Sequence, residues 1–204
     1  MFTGIVQAKV QVQAIQRRDG FIRLTVAAGA AHLVQLQRGA SIAINGTCLT
    51  ATEFDQTAGW VSFDIIDETL RKTNLGTLQQ GSWVNFERSL KFGDEIGGHL
   101  VSGHVSATAE ILNITRSADN CAIQLGFPQA LAAYILPKGF IAVDGASLTV
   151  GAVDANSFWL HLIPETLALT TLGTKQVGDR LNLECDQQTV AIVQTVERVL
   201  AQRG

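Results

Sequence analysis

The sequence has only three cysteines, Cys48, Cys121 and Cys185, far apart and with no Cys-x-x-Cys spacing. A sparse, odd-numbered set argues against a disulfide framework and against a thiolate zinc site, and suits a reducing cytoplasm. Charge is scarce too. Only 16% of residues are charged, the net charge is −3, and the fifteen cations are scattered without a basic run. Such a chain has no positive field for nucleic acid or an anionic membrane surface. No apolar stretch approaches the length of a membrane span. "MFTGIVQAKV" soon gives way to alternating polar and apolar residues instead of a secretory h-region. A cytoplasmic protein is expected.

What the sequence does have is a repeat. "AINGTCLTATEF" (43–54) returns as "AVDGASLTVGAV" (142–153), and "MFTGIV" returns as "LVSGHV". Gly46 falls on Gly145 and Gly4 on Gly103, a shift of 145 − 46 = 99. Further on, residues 61–87 match 158–184 at a shift of 165 − 68 = 97, with twelve of 27 positions identical. The chain is therefore a tandem duplication of a unit just under 100 residues long. Short runs such as "GWVSFDII" and "SWVNFERSL", rich in β-branched and aromatic residues and separated by Gly, Asn and Asp, predict six or so strands per unit. An all-β unit of that size is a small closed barrel or a sandwich, and a barrel leaves no exposed edge.

The tail departs from this pattern. In "QQTVAIVQTVERVLAQRG", Val190, Val193, Val196 and Leu200, flanked by Ile192 and Val199, form an apolar stripe at helical spacing. A lone amphipathic helix must bury its stripe, either on its own barrel or on copies of itself; an oligomer is the favoured expectation. The expected division is 1–97, 98–187 and a terminal helix over 188–204.

A duplicated barrel most simply offers two similar pockets, and differences between the copies mark where reactivity was added. Cys48 faces Ser147, Asn45 faces Asp144, Ile5 faces His104, Asp64 faces His161, Asp67 faces Pro164 and Ser41 faces Phe140; His99 has no partner. Cys48 is the potential nucleophile of the set, although a free strand cysteine is more often a small buried hydrophobe. His104 follows a glycine turn and can shuttle protons. His99 and His104 lack a third ligand nearby in sequence, so no metal site is expected. Glu68-Thr69 and Glu165-Thr166 recur in both units and suit either a turn with a bonded hydroxyl or the edge of a polar ligand. Asp186 could cap the final helix. The residues by themselves describe two polar pockets for a flat ligand rich in oxygen and nitrogen.

Six motifs in order, "MFTGIV", "NGTCLT", "ETLRKTNLG", "GGHLVSGHV", "KGFIAVDGASLTV" and "LIPETLALTTLG", closely resemble the riboflavin synthase family of the α-subunit type over essentially the whole chain. The resemblance implies two six-stranded Greek-key barrels per chain and a homotrimer assembled through the C-terminal helices. It implies dismutation of two 6,7-dimethyl-8-ribityllumazine molecules, by four-carbon transfer, to riboflavin and 5-amino-6-(ribitylamino)uracil. The family uses no metal or redox cofactor, works between the N-barrel of one subunit and the C-barrel of its neighbour, and leaves association with lumazine synthase open. A fluorescent, non-catalytic lumazine-binding antenna is the rival within the same fold.

Carried over by position, the first pocket groups Gly4, Ile5 and Val6 with Cys48, Leu49 and Thr50 and with Asp64, Ile65, Ile66, Asp67, Glu68 and Thr69. The second groups Gly103, His104 and Val105 with Lys138, with Ser147, Leu148 and Thr149, and with His161, Leu162, Ile163, Pro164, Glu165 and Thr166. Phe2, Ser41, Cys48, His99, His104, Lys138, Asp144 and Asp186 are the residues implied for turnover. A mechanism consistent with these groups has His104 or water remove a proton from the acidic C7 methyl of one lumazine, and Cys48, Ser41 or water add to the other.

Overall fold

Asn45-Gly46 and Asp144-Gly145 sit between runs of alternating apolar residues, the sequence pattern of a two-residue hairpin. All four residues take positive φ, with Asn45 at 45°, Gly46 at 75°, Asp144 at 44° and Gly145 at 83°. Such values belong to the tight turn whose twist matches that of the strands it joins. In a computed structural model, which describes residues 1–117 and 120–202, each turn joins two strands of a closed antiparallel barrel. The first barrel comprises β1 (Ala8–Arg18), β2 (Phe21–Ala27), β3 (Ser41–Ile44), β4 (Thr47–Asp55), β5 (Trp60–Ile66) and β6 (Trp83–Arg88), ordered β1-β2-β5-β4-β3-β6. The second comprises β7 (Ala107–Arg116), β8 (Cys121–Gly126), β9 (Phe140–Val143), β10 (Ala146–Val153), β11 (Ser157–Leu162) and β12 (Arg180–Cys185) in the same spatial order.

Alternation along each strand sends one side-chain set into the barrel and the other outward. Val61, Phe63 and Ile65 of β5 pack in one core; Phe158, Leu160 and Leu162 of β11 pack in the other. The Glu-Thr motifs open short helices, α1 (Asp67–Lys72) and α2 (Pro164–Leu169), rather than simple turns. The bonded hydroxyls lie four residues further on: Thr73 and Thr170 donate to the carbonyls of Thr69 and Thr166 at 2.7 and 2.6 Å.

The barrels meet about a pseudo-two-fold. A Cβ on Gly46 would come within 2.6 Å of the Gly145 amide nitrogen, so only glycine lets the two hairpin tips touch. Around them lies a buried amide network. Asn182 donates through Nδ2 to the Asn45 carbonyl at 2.8 Å, and Asn85 donates through Nδ2 to the Asp144 carbonyl at 2.8 Å. Asn74 donates to Asp144 Oδ1 at 2.8 Å. Helix α3 (Gln187–Ala201) follows the second barrel. Val190 packs on that barrel's core, but Ile192, Val196 and Leu200 are more than half exposed. Arg203 and Gly204, the end of the expected terminal helix, lie outside the described residues.

Candidate active site

The arms that enter each barrel are exchanged. The Ser147 amide donates to the Gly4 carbonyl at 2.7 Å, and the Cys48 amide donates to the Gly103 carbonyl at 2.9 Å. Phe2 bridges to Val101, and Val6 packs in the core of the second barrel. The expected grouping of Gly4–Val6 with Cys48, and of Gly103–Val105 with Ser147, is therefore corrected: each glycine arm serves the opposite repeat. A Cβ on Gly4 would stand 2.6 Å from Ser147 Cβ, and one on Gly103 would stand 2.5 Å from Cys48 Cβ. Glu87 and Glu184 hold the two arms. Thr3 donates to Glu87 through its amide and its hydroxyl at 2.7 and 2.8 Å. Ser102 does the same to Glu184, both at 2.7 Å, and Gly103 donates its amide at 2.9 Å. Burial pushes both carboxyls above the ordinary range while these donors oppose it. Sequence reasoning missed this pair, although identical glutamates ending matched apolar strands were a visible signal.

Strand register lays a row of side chains across the outside of each barrel. Ser41 is opposite Thr50, Thr50 flanks Asp64, Asp64 is opposite Arg23, and Arg23 is opposite Gln16. The second barrel reads Phe140, Thr149, His161, Ala122, Thr115 at the same places. Cys48, half-buried, lies beside the first row, and exposed His104 is on the arm that joins it. Ser147 lies beside the second row. Its hydroxyl is 2.7 Å from His99 Nδ1, and the His99 ring stacks on Phe140 with centroids 5.2 Å apart. Burial holds His99 below its ordinary proton affinity, which Asp186 partly opposes, so a neutral imidazole is available to take a hydroxyl proton near pH 7. Asp186 caps α3; burial would raise its carboxyl, but the Thr189 hydroxyl at 2.7 Å and the Thr189 and Gln188 amides at 3.0 and 3.4 Å donate to it and hold it low.

Not every expected residue can present its side chain. Leu49 and Ile65 face the first core and Leu162 the second, because strand alternation turns them inward, and Val6 on its arm packs into the second core as well, so they offer only backbone. Leu148 packs partly against the second core, and Val105 is half-buried on its arm. Ile66, Asp67, Glu68, Ile163, Pro164 and Glu165 are exposed at the strand exits, where Thr69 and Thr166 are half-buried. Phe2 is fully buried between the barrels against Ala43, Val101 and Ala142. Asp144 is fully buried in the amide network. Both are expected for turnover, but sealed in this way neither side chain can touch a ligand directly. Lys138 is exposed and adopts φ of 67°, where the first repeat has Gly39 at 87°. Among the described residues no cluster of His, Cys, Asp and Glu has the geometry to hold a metal, and no helix is long and apolar enough to cross a membrane.

A family model, the lumazine binding domain, matches residues 3–89 and again 102–186. The riboflavin synthase of Escherichia coli (strain K12) is 52% identical over 204 residues, covering 100% of this chain and 95% of that one. The chain belongs to the riboflavin synthase family. The Chlamydia pneumoniae riboflavin synthase is 42% identical over 204 residues, with 100% and 99% of the two chains covered. The crystal structure of LumP complexed with riboflavin superposes with a TM-score of 0.83 at 28% identity, covering 92% of this chain and all of that one. The two family-model matches coincide with the two barrels, so each outer row falls within one lumazine-binding repeat.

Proposed function

We propose that the protein is a riboflavin synthase. It takes two 6,7-dimethyl-8-ribityllumazine molecules, transfers a four-carbon unit from one to the other, and releases riboflavin and 5-amino-6-(ribitylamino)uracil. The two products contain the atoms of the two substrates, so the reaction consumes no oxidant or reductant. The observation that carries this reading is the pair of equivalent outer rows, each beside an exchanged glycine arm, one with a thiol and the other with a hydroxyl–imidazole pair. Twin sites of one shape suit a reaction that uses one substrate twice.

The residues divide the work as follows. Thr50 and Thr149, with the backbone of the strand exits, hold the polar edges of the rings. His104, or water, takes the proton from the C7 methyl of one ring. Cys48, Ser41 or water adds to the other ring, and the Ser147–His99 pair supplies a hydroxyl whose proton can move to the imidazole. Much of the gain is orientation of two rings in contact, a contribution of roughly 7–11 kcal/mol at best. On this reading 1–97 and 98–187 are ligand-binding units and α3 assembles a cytoplasmic homotrimer; the exposed Ile192, Val196 and Leu200 support that assembly. The test is incubation of the pure protein with the lumazine alone. Flavin and diaminouracil should appear in a one-to-one yield, and binding without product would leave an antenna protein.

A further inference from the structure

The first outer row contains an ion-pair cluster that the second lacks. Arg23 on β2 donates through Nε and Nη2 to the two carboxylate oxygens of Asp64 at 2.7 and 2.9 Å, and through Nη1 to Glu53 at 2.9 Å. Glu53 is within reach because β4 bulges between Ala51 and Glu53. At the corresponding places of the second barrel stand Ala122, His161 and Ala152. There β10 bulges too, but over Gly151, and the His161 ring lies close enough that a Cβ on that glycine would meet its Cδ2 at 3.3 Å. One row thus holds its polar group with a guanidinium fork, and the other lets an imidazole lie across a bare bulge.

Exposed ion pairs contribute little to stability. A planar fork gripping both oxygens of one carboxylate does something else: it removes that side chain's rotational freedom. Arg23 has only 19% of its side chain exposed, and it occupies one lone pair on each Asp64 oxygen. The remaining lone pairs are fixed next to Thr50. We propose that Arg23 is a positioning residue of the first pocket, holding Asp64 as a rigid, acceptor-only edge that reads hydrogen-bond donors of the ligand, its polyol hydroxyls or ring N–H. The second pocket reads the same ligand with His161, which can donate as well as accept. The two sites therefore differ in what they demand of one molecule. This inference rests on the lumazine-binding reading of the rows and specifies it further.

The test is equilibrium titration of the full-length protein with an 8-ribityllumazine that lacks the C7 methyl and so cannot be turned over, followed by intrinsic and ligand fluorescence, together with steady-state kinetics on 6,7-dimethyl-8-ribityllumazine. The wild-type protein should take up two ligands per chain. Arg23→Ala should weaken one of the two sites by about tenfold and leave the other unchanged, raising KM far more than it lowers kcat. Arg23→Lys, which keeps the charge without the fork, should recover only part of the loss and provides a folded variant if the alanine change is not tolerated. Asp64→Asn should reproduce the loss, and Arg23→Ala added to it should do no further harm, since the arginine acts through Asp64. Two unchanged sites in Arg23→Ala, an equal loss at both, or additive losses in the double variant would overturn the inference while leaving the proposed reaction intact. A wild-type protein that binds no lumazine would overturn both.

Discussion

Asp144 and its repeat partner Asn45 are nearly the same shape, and the difference between them is a charge in a place without water. Asp144 is completely buried; its Oδ2 has no hydrogen-bond partner, and Lys175 Nζ is 4.0 Å away. Burial pushes this carboxyl up to about 6, against an unfolded value of about 4. Between those values the folded protein holds a proton that the unfolded chain has released, so stability falls as pH rises from about 4 to 6. At neutral pH the accumulated cost is of order 3 kcal/mol. Glu87 and Glu184 are also raised and act in the same direction. Asp144→Asn should therefore flatten, without abolishing, the decline of the denaturant midpoint between pH 4.5 and 7, and should gain most at pH 7. Lys138 holds a left-handed φ of 67° without being glycine. That conformation costs an L residue roughly 1–2 kcal/mol, and strain of this kind is commonly kept at functional sites. Lys138→Gly should raise the melting temperature and lower turnover.

Among the elements, α3 is set by its cap and its uncovered face. Asp186 satisfies two of the helix's free amides and also receives the Thr189 hydroxyl at 2.7 Å. Asp186→Ala should cost about 1 kcal/mol of helix stability, visible as lost helical circular dichroism. Ile192, Val196 and Leu200 leave an uncovered apolar stripe along the helix. On the proposed assembly the protein should sediment as a trimer, and Val196→Asp combined with Leu200→Asp should shift it to monomer, with catalysis lost. Unchanged sedimentation would show that the stripe has no part in assembly. The exchanged arms are the other decisive elements. Gly103→Ala would drive a Cβ to 2.5 Å from Cys48 Cβ at a φ of 82°. It should destabilise the fold by about 3 kcal/mol and weaken ligand binding beside Cys48, measured by denaturation and titration.

Among the described residues, twelve strands make two barrels held to one another by the arms, the Phe2 cluster and the amide network. Phe2→Ala would open a cavity in a small inter-barrel cluster, at about 3–4 kcal/mol. The number of barrels, their all-β character and the terminal helix were legible in the sequence, because duplication and the periods of strand and helix are one-dimensional signals. The repeat alignment also pairs Cys48 with Ser147 and Asp64 with His161, and the strand register places each pair at matching points in or beside the two outer rows. The partition of those residues between pockets was not legible. A repeat alignment equates Gly4 with Gly103 but is indifferent to which barrel each arm serves, so the exchange that brings Gly4 to Ser147 and Gly103 to Cys48 is invisible in it. Nor could the alignment tell that Asp144 and Phe2 are sealed between barrels, or that Arg23 closes on Asp64 across 41 residues of chain. Local chemistry fixes which strands and turns form; which side chains meet depends on barrel closure and the packing of one barrel on the other, and those contacts exist only in three dimensions.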